Sequence, residues 1–276
     1  MAGPPVLGII AGRGALPGVI AEAAEAEGRR VVLAVMVGVE PEEPGRTTIP
    51  FRVERLGRLF AELRREGVSE VVFAGAVARP ALDPRCFDLK TAWLARRFLP
   101  ALRRGDDALL RVVIGLFEAE GFTARGAHEL VPGLVAAPEV LTRAAPDKAA
   151  RVDAARAMAL LRMLGPADLG QSAVVAHGLP LAVEAAPGTD VMLAQVAALP
   201  AERRATGGVF AKAPKPDQER RIDLPTIGPQ TVAGVAKAGL SGLVIEAGGV
   251  IVLEREAVIA SCDDLGLFLW AREADP

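Results

Sequence analysis

A short polar segment in the second half of the chain carries the side chains best suited to phosphate chemistry. Lys212, Lys215, Arg221 and Asp223 follow one another closely. Lysine and arginine neutralise phosphate oxygens, and a carboxylate among cations stays ionised, so it can orient water or hold a divalent cation. These residue types at this spacing therefore indicate a phosphate or diphosphate site. The alternative is a solvated charge cluster that makes ordinary surface salt bridges.

The segment 212–223 is predicted to be a stiff loop between a strand and a helix. Apolar residues at 208–211 are typical of a strand, and the pattern at 228–238 is typical of a helix. Prolines restrict the backbone dihedral angles around the charged residues, at positions 214, 216 and 225. Rigid loops at strand ends commonly carry functional side chains.

The first half of the chain alternates predicted strands and helices. Apolar runs at 6–10, 31–37 and 70–74 indicate strands, and residues between them have helical spacing. This α/β alternation predicts a Rossmann-like parallel sheet with helices on both faces. Ligands of such sheets bind at the carboxyl ends of the strands, so the residues that follow each strand are candidates for substrate contact.

Three glycines and one arginine follow the predicted strands at those ends. Gly12 and Gly14 come after the first strand, and Gly75 and Arg79 come after the third. The first turn lacks the spacing G-x-G-x-x-G, because Pro17 stands at the position of the third glycine. A tight packing turn that binds nothing is the alternative. The missing motif also argues against a nicotinamide-dependent oxidoreductase.

The second half is predicted to be a mixed α/β domain. Residues 148–164 have helical spacing, and 172–184 is typical of a hairpin. Gly188-Thr189-Asp190 precedes a further predicted helix, with Thr189 or Asp190 as the N-cap and with backbone amides that can bind a phosphate. The predicted division is an N-terminal domain at 1–132, a linker at 133–148 and a catalytic domain at 149–276.

Composition argues against several classes of function. The net charge of −2 and the pI near 5.9 disfavour a general nucleic-acid-binding surface. Two histidines and two separated cysteines disfavour a zinc site, whereas Mg²⁺ held by aspartate oxygens fits the composition. The N-terminus lacks the pattern of a signal peptide, and no apolar run reaches the length of a membrane span. We therefore expect a cytoplasmic protein, with peripheral contact at the inner membrane as an open alternative.

The segment 212–248 also contains an extended motif. It includes Lys-x-x-Lys-Pro-x-Gln from Lys212, Arg-x-Asp-Leu-Pro-Thr-Ile-Gly-Pro-x-Thr-Val from Arg221, and Glu-Ala-Gly from Glu246. This pattern resembles the LpxI family, the UDP-2,3-diacylglucosamine pyrophosphatases of lipid A biosynthesis. Three shorter runs resemble the same family, at 10–17, 105–111 and 184–193. The chain departs from the family pattern at Arg13, where the family has glycine, and after Gln218, where Glu-Arg replaces Asp-Leu.

The resemblance implies hydrolysis of the diphosphate bond in UDP-2,3-diacylglucosamine, giving UMP and 2,3-diacylglucosamine 1-phosphate (lipid X). Asp223 matches the family's catalytic position, and we hypothesise that it positions the water, alone or through Mg²⁺. Lys212, Lys215 and Arg221 are expected to stabilise charge on the transferred phosphoryl group, and Asp190 is expected to help hold metal or substrate. The expected substrate contacts are Gly12, Gly14, Gly75, Arg79, Gly188, Thr189, Gln218, Thr226, Gly228 and Glu246.

A non-catalytic nucleotide-diphosphate-binding or sensing module is the rival hypothesis. Such a module would grip the diphosphate with the same cations, but it would not need a carboxylate facing the anion. The pattern leaves open whether Mg²⁺ is bound by the protein or arrives with the substrate, and whether the chain forms a homodimer. It also leaves open whether several acidic residues are structural or functional, namely Asp106, Asp107, Glu246, Asp263 and Asp264.

Overall fold

The computed structural model describes residues 4–39, 46–76, 82–101, 106–200, 207–216 and 218–274, without the side chains of 97–101 and 106–107. The chain divides into two compact units, called unit 1 and unit 2 below. Unit 1 comprises Met1–Pro132 and Glu219–Asp223, and unit 2 comprises Gly133–Gln218 and Leu224–Pro276. Each unit buries an apolar core of its own.

Unit 1 is built on a parallel sheet flanked by helices. Its strands are β1 (Val6–Ala11), β2 (Val31–Met36), β3 (Thr47–Phe51), β4 (Val68–Ala74) and β5 (Thr123–Arg125). They lie in the order β3-β2-β1-β4-β5, and every pair is parallel. The described helices are α1 (Leu16–Ala26), α2 (Leu56–Arg65), α3 (Leu89–Ala101), α4 (Asp106–Ala119) and α5 (Ala127–Leu130). The predicted Rossmann-like sheet is confirmed.

Burial explains which elements of unit 1 are visible in the sequence. Strands β1 and β2 are almost wholly buried, so they appear as continuous apolar runs. Strand β3 lies at the sheet edge and buries only Ile49, so its sequence has no comparable run. In the core, the ring of Phe60 in α2 meets that of Phe117 in α4 edge-on, with centroids 5.0 Å apart.

Unit 2 is a mixed α/β structure around a second sheet. Its strands are β6 (Glu139–Val140), β7 (Ser172–Ala176), β8 (Leu179–Val183), β9 (Val209–Lys212), β10 (Thr226–Ile227), β11 (Gly242–Glu246), β12 (Ile251–Val252) and β13 (Phe268–Arg272). The described helices are α6 (Lys148–Leu164), α7 (Thr189–Ala197), α8 (Pro229–Lys237) and α9 (Arg255–Leu265). The main sheet has the order β6-β13-β11-β9-β7-β8, and β10 pairs with β12 separately.

Strand direction in unit 2 places functional candidates at one edge of its main sheet. Strands β9, β11 and β13 are mutually parallel, and β6, β7 and β8 run antiparallel to their neighbours. Lys212 ends β9, and Glu246 ends the adjacent β11. Both residues therefore lie at carboxyl ends of parallel strands, the edge at which α/β proteins bind ligands.

The units differ in two places from the domain division that the sequence suggests. Residues 133–148, expected to be a linker, belong to unit 2, because β6 pairs with β13 and Leu141 N donates to Leu269 O. The short segment Glu219–Asp223 belongs to unit 1, although the residues on either side of it belong to unit 2. Ile222 packs against the core of unit 1, which explains this assignment.

Candidate active site

Lys212, the last residue of β9, is the most deeply buried of the predicted phosphate-binding cations. It is 7% exposed, and its strand lies between β7 and β11. Its Nζ donates a hydrogen bond to Thr189 Oγ1 (2.9 Å). Lysines are rarely buried unless their charge has a partner. The position therefore suits an ammonium that meets an anionic ligand better than one that only solubilises the surface.

Glu184 extends this contact into a chain of hydrogen bonds. Its Oε1 accepts from Thr189 Oγ1 (3.1 Å), and its Oε2 accepts from Ser172 Oγ (2.7 Å) and from the Gln171 amide (3.2 Å). The hydroxyl of Thr189 has a single hydrogen, which it donates to Glu184. A lone pair of the same oxygen accepts the hydrogen bond from Lys212 Nζ. Neither Glu184 nor Ser172 is among the predicted site residues. The one sequence signal for Glu184 is its place in the family-like run at 184–193.

Gly188 begins helix α7 and corrects the predicted N-cap. Its φ of 91° lies in the region that favours glycine, and no side chain caps the helix. The prediction of Thr189 or Asp190 as the N-cap is wrong, because the hydroxyl of Thr189 is directed to Glu184 and Lys212 instead. Asp190 is exposed in the first turn. The N-terminal amides of α7 thus begin at the residue that binds Lys212.

Lys215 and Gln218 form the next turn of the predicted loop. Lys215 Nζ lies 2.5 Å from Asp168 Oδ1. The Lys215 amide donates to Gln218 Oε1 (2.9 Å), and the Gln218 amide donates to Lys215 O (3.1 Å). Gln218 is only 8% exposed, so its side chain orders this turn from within. The contact of Gln218 with substrate stays a prediction.

Arg221 is held by two carboxylates of unit 1. Its Nε and Nη2 donate to Glu219 (2.9 and 3.0 Å), and its Nη1 donates to Glu118 Oε1 in α4 (2.7 Å). The hydrogen bond from Arg221 holds the pKa of Glu219 below its usual value, while burial opposes this effect. The same carboxylates raise the pKa of Arg221. The guanidinium is therefore permanently charged and fixed in orientation.

Asp223 follows this ion pair closely in the chain. Its amide donates to Glu219 O (3.3 Å), and the residue is half-buried. The next residues, Leu224 and Pro225, are buried, which anchors the backbone on the C-terminal side. Asp223 is thus a carboxylate on a backbone that is fixed at both ends.

The other predicted contacts of unit 2 lie at the ends of its elements. Glu246 Oε1 and Pro214 would lie 2.7 and 3.0 Å from a Cβ placed at Gly249, so a side chain there would displace that carboxylate. Gly228 is the N-cap of α8, and its amide donates to Thr231 Oγ1 (3.3 Å). Thr226 Oγ1 donates to Leu224 O (3.3 Å).

The N-terminal glycines of unit 1 divide into two kinds. Gly12 and Gly75 pack against each other: a Cβ at Gly12 would lie 2.6 Å from Ala76 O, and one at Gly75 would lie 2.6 Å from Arg13 O. This close approach requires glycine at both positions, and their contact with substrate stays a prediction. Gly14 instead has open space around it and lines a cavity of about 220 Å³ together with Gly12. Arg79 lies outside the described residues.

Unit 1 contains a larger cavity that the sequence does not indicate. It has a volume of about 430 Å³ and lies beside the ends of β2 and β3. Its lining combines the apolar Phe51 and Leu59 with the exposed arginines Arg52, Arg55 and Arg58. The arginines are spaced three residues apart across the start of α2, where Arg52 and Arg55 precede the helix and Arg58 lies within it. The sequence analysis does not single them out, so their common cavity is found only in the structure.

Two further properties concern the whole described chain. Among the described residues, no three histidine, cysteine or acidic side chains are grouped closely enough to hold a metal ion. In the same residues, none of the helices combines the length and the hydrophobicity that a membrane crossing requires.

Comparison with known proteins assigns the chain to a family. The family model described as the LpxI N-terminal domain matches residues 6–134, and that of the LpxI C-terminal domain matches residues 137–270. The chain belongs to the LpxI family. An LpxI from Caulobacter vibrioides, named UDP-2,3-diacylglucosamine pyrophosphatase, is 45% identical over 270 residues, which cover 95% of this chain and 96% of that protein.

A solved structure, CobK precorrin-6A reductase, is a much more distant match. It aligns with 99% of this LpxI-family chain and 89% of its own, at 15% identity and a TM-score of 0.31. A likeness of that strength carries no argument about fold or function. The family-like runs that the sequence analysis describes, including the one from Lys212 to Gly248, all lie within the two matched ranges.

Proposed function

We propose that this chain is a UDP-2,3-diacylglucosamine pyrophosphatase. The observation that carries the proposal is the match to LpxI from Caulobacter vibrioides, 45% identical over nearly the full length of both chains. The reaction is hydrolysis of a diphosphate bond in a lipid nucleotide, within lipid A biosynthesis. We further propose that its products are UMP and 2,3-diacylglucosamine 1-phosphate, called lipid X.

The cations of the 212–223 loop are proposed to stabilise the charge that develops on the diphosphate. Lys212 is suited to this role by its burial and by its fixed hydrogen bond to Thr189. Arg221 is suited by its fixed orientation, since Glu118 and Glu219 each take N–H groups and leave the second N–H of Nη1 and of Nη2 for an anion. Cations fixed before the substrate arrives stabilise a transition state without reorganisation.

Lys215 and Asp223 are proposed to complete the reaction. Lys215 would exchange its contact with Asp168 for a phosphate oxygen, because the pair is partly exposed and a surface ion pair is weak. Asp223 would orient the attacking water and take its proton as the general base. A carboxylate facing an anionic substrate hinders simple binding, so its presence favours hydrolysis over the rival binding-module hypothesis.

Mg²⁺ is proposed to enter as part of the substrate. The described residues form no group of three histidine, cysteine or acidic side chains that could hold a metal ion. A diphosphate commonly carries Mg²⁺ with several waters and needs only one or two protein carboxylates in addition. Asp223 and Asp190 are the candidates for those ligands.

Helix α3 is proposed as the surface that contacts the inner membrane. Leu89, Ala92, Trp93 and Arg96 recur at helical spacing, and all are exposed. Leu89 is 94% exposed and Trp93 is 63% exposed. Tryptophan, leucine and a cation on one helix face suit the interface of an anionic bilayer. Such a contact would bring the enzyme to a substrate with two acyl chains. A homodimer stays a separate prediction from the sequence.

The experiment that tests the function is direct hydrolysis. Purified protein is incubated with UDP-2,3-diacylglucosamine and Mg²⁺, and UMP and the lipid phosphate are quantified. We expect UMP and lipid X in equal amounts, and loss of both when EDTA removes the metal. Binding of the lipid nucleotide without release of UMP would overturn the proposal and favour the binding module.

A further inference from the structure

Lys212, Thr189 and Glu184 form a chain of hydrogen bonds, and the proposed reaction assigns no role to Glu184. We propose that Glu184 is a positioning residue, which fixes Lys212 Nζ through the hydroxyl of Thr189. The inference rests on the proposed function, in which Lys212 stabilises charge on the diphosphate. Glu184 lies two hydrogen bonds away from Lys212 and determines the orientation of its ammonium.

Glu184 is itself held rigidly at the end of β8. Its amide donates to Ser172 O (2.8 Å), and its carbonyl accepts from the Gly170 amide (3.1 Å). A Cβ at Gly170 would lie 2.4 Å from Glu184 O, so this close approach requires glycine. The side chain accepts two further donors, from Gln171 and Ser172, besides Thr189. Because the backbone and the side chain of Glu184 are both fixed, its carboxylate can fix the hydroxyl of Thr189.

The carboxylate determines which way the Thr189 hydroxyl points. It can only accept, so the hydroxyl hydrogen points to Glu184 and a lone pair faces the ammonium of Lys212. An amide at position 184 could donate to Thr189 instead. The hydroxyl hydrogen would then be free to turn toward Lys212, where it would repel the ammonium. The negative charge of Glu184 thus orients the lysine as well as balancing it.

The consequence for catalysis is specific. A lysine that is misplaced by a small distance still attracts the substrate's negative charge, but it no longer matches the charge of the transition state. Glu184→Gln should therefore lower kcat by about 10- to 100-fold and change KM by less than about threefold. A loss confined to KM would overturn the proposal.

A matched control separates positioning from stability. Asp153 in α6 is 3% exposed and also accepts two amide hydrogens, from His177 and Gly178 at the β7–β8 turn. Its hydrogen bonds go to this turn and not to Thr189 or Lys212, so Asp153→Asn should lower the Tm while kcat of the folded enzyme stays within about twofold. If Asp153→Asn lowers kcat as much as Glu184→Gln does at the same fraction folded, the effect is one of stability.

Two substitutions at Thr189 test the hydroxyl. Thr189→Ser keeps the hydroxyl and should retain more of kcat than Thr189→Val, which removes the hydroxyl at nearly the same volume and should lower kcat as Glu184→Gln does. Equal rates for the serine and valine variants would show that the hydroxyl does not carry the effect.

A double-mutant cycle tests whether Glu184 acts through Lys212. Single-turnover rates with enzyme in excess are compared for wild type, Glu184→Gln, Lys212→Met and the double variant, since slow reactions remain measurable over hours. In the Lys212→Met background, Glu184→Gln should change the rate by less than about twofold. An undiminished effect would overturn the positioning role. A wild-type protein that releases no UMP would instead overturn the proposed function. Normal activity of Lys212→Met would overturn the role of that lysine, and with it the positioning role of Glu184, without touching the proposed reaction.

Discussion

Arg221 Nε lies 2.9 Å from Glu219 Oε1, and this contact fixes a guanidinium at the segment that also contains Asp223. Glu118 of α4 takes Nη1 of the same group at 2.7 Å. An arginine that is paired with two carboxylates commonly has a structural role alone. Its planar fork nevertheless retains N–H groups on Nη1 and Nη2 after these contacts, so it can serve the fold and an anion together.

Arg221→Lys separates these two uses. Lysine has three donors against the five of arginine, so the contacts with Glu219 and Glu118 would leave none for an anion, and we expect kcat to fall by about 10-fold or more, with a small decrease in Tm. Steady-state hydrolysis and thermal unfolding measure the two effects. Arg58→Lys is the matched control, because Arg58 makes an exposed pair with Glu62 (2.7 Å) and should tolerate the change. An unchanged kcat in Arg221→Lys would leave Arg221 a structural role alone.

The same ion pair predicts a dependence of stability on pH. The pKa of Glu219 is lowered from 4.5 in the folded state, first through the hydrogen bond from Arg221. Its contribution to stability is therefore complete above the unfolded-state pKa and is lost as the pH falls through the lower folded-state pKa. Urea unfolding from about pH 7 to about pH 3 should show wild type losing more free energy of unfolding than Glu219→Gln. Parallel curves for the two proteins would contradict this account.

Gly12 and Gly75 predict a stability effect without any ligand. Gly12→Ala places a Cβ 2.6 Å from Ala76 O, and backbone cannot move aside as a flexible side chain does. We expect a loss of about 2 kcal/mol or more in the free energy of unfolding. Gly115→Ala in α4 meets no atom within 4 Å and should instead stabilise by about 0.5 to 1 kcal/mol. Urea denaturation measures the free energy of unfolding of both variants. If Gly12→Ala had the same effect as Gly115→Ala, the turns at Gly12 and Gly75 would not pack as closely as the structure shows.

The exposed face of α3 gives a prediction about membranes. Trp93→Ser should lower co-sedimentation with anionic phospholipid vesicles at least about threefold, since tryptophan anchors at the interface. Met163→Ser is the control, because Met163 is 77% exposed in α6 of unit 2 and should not contribute. Equal binding by all three proteins, or none by wild type, would contradict the membrane surface.

The sequence predicts those elements in which the spacing of apolar residues along the chain matches the set of residues that the fold buries. Strands β1 and β2 are continuous apolar runs because both faces are covered, and α6 has the predicted bounds of Lys148–Leu164. Edge strand β3 buries one residue and has no such run. The segment 133–148 looks like a linker because β6 has only two residues, and its pairing partner β13 is distant in sequence.

The candidate site divides in the same way. Residues of the 212–223 loop are visible because their charges stand together in the sequence. The link from Lys212 to Glu184 through Thr189 is not visible in the sequence. It depends on the strand order and on the start of α7, which bring Lys212 into contact with Thr189, 23 residues earlier in the chain. The N-cap prediction fails for the same reason: Thr189 has the right side chain for a cap, but tertiary partners take its hydroxyl.

The most direct test of the catalytic account is UMP release by Asp223→Asn. The amide has nearly the same size as the carboxylate and cannot accept a proton from water, so binding should persist while hydrolysis is lost. We expect kcat below wild type by about 10³-fold or more and a Kd for the lipid nucleotide within about threefold, measured by calorimetry on the same sample. A variant that releases UMP at a rate near wild type would show that Asp223 does not position the water.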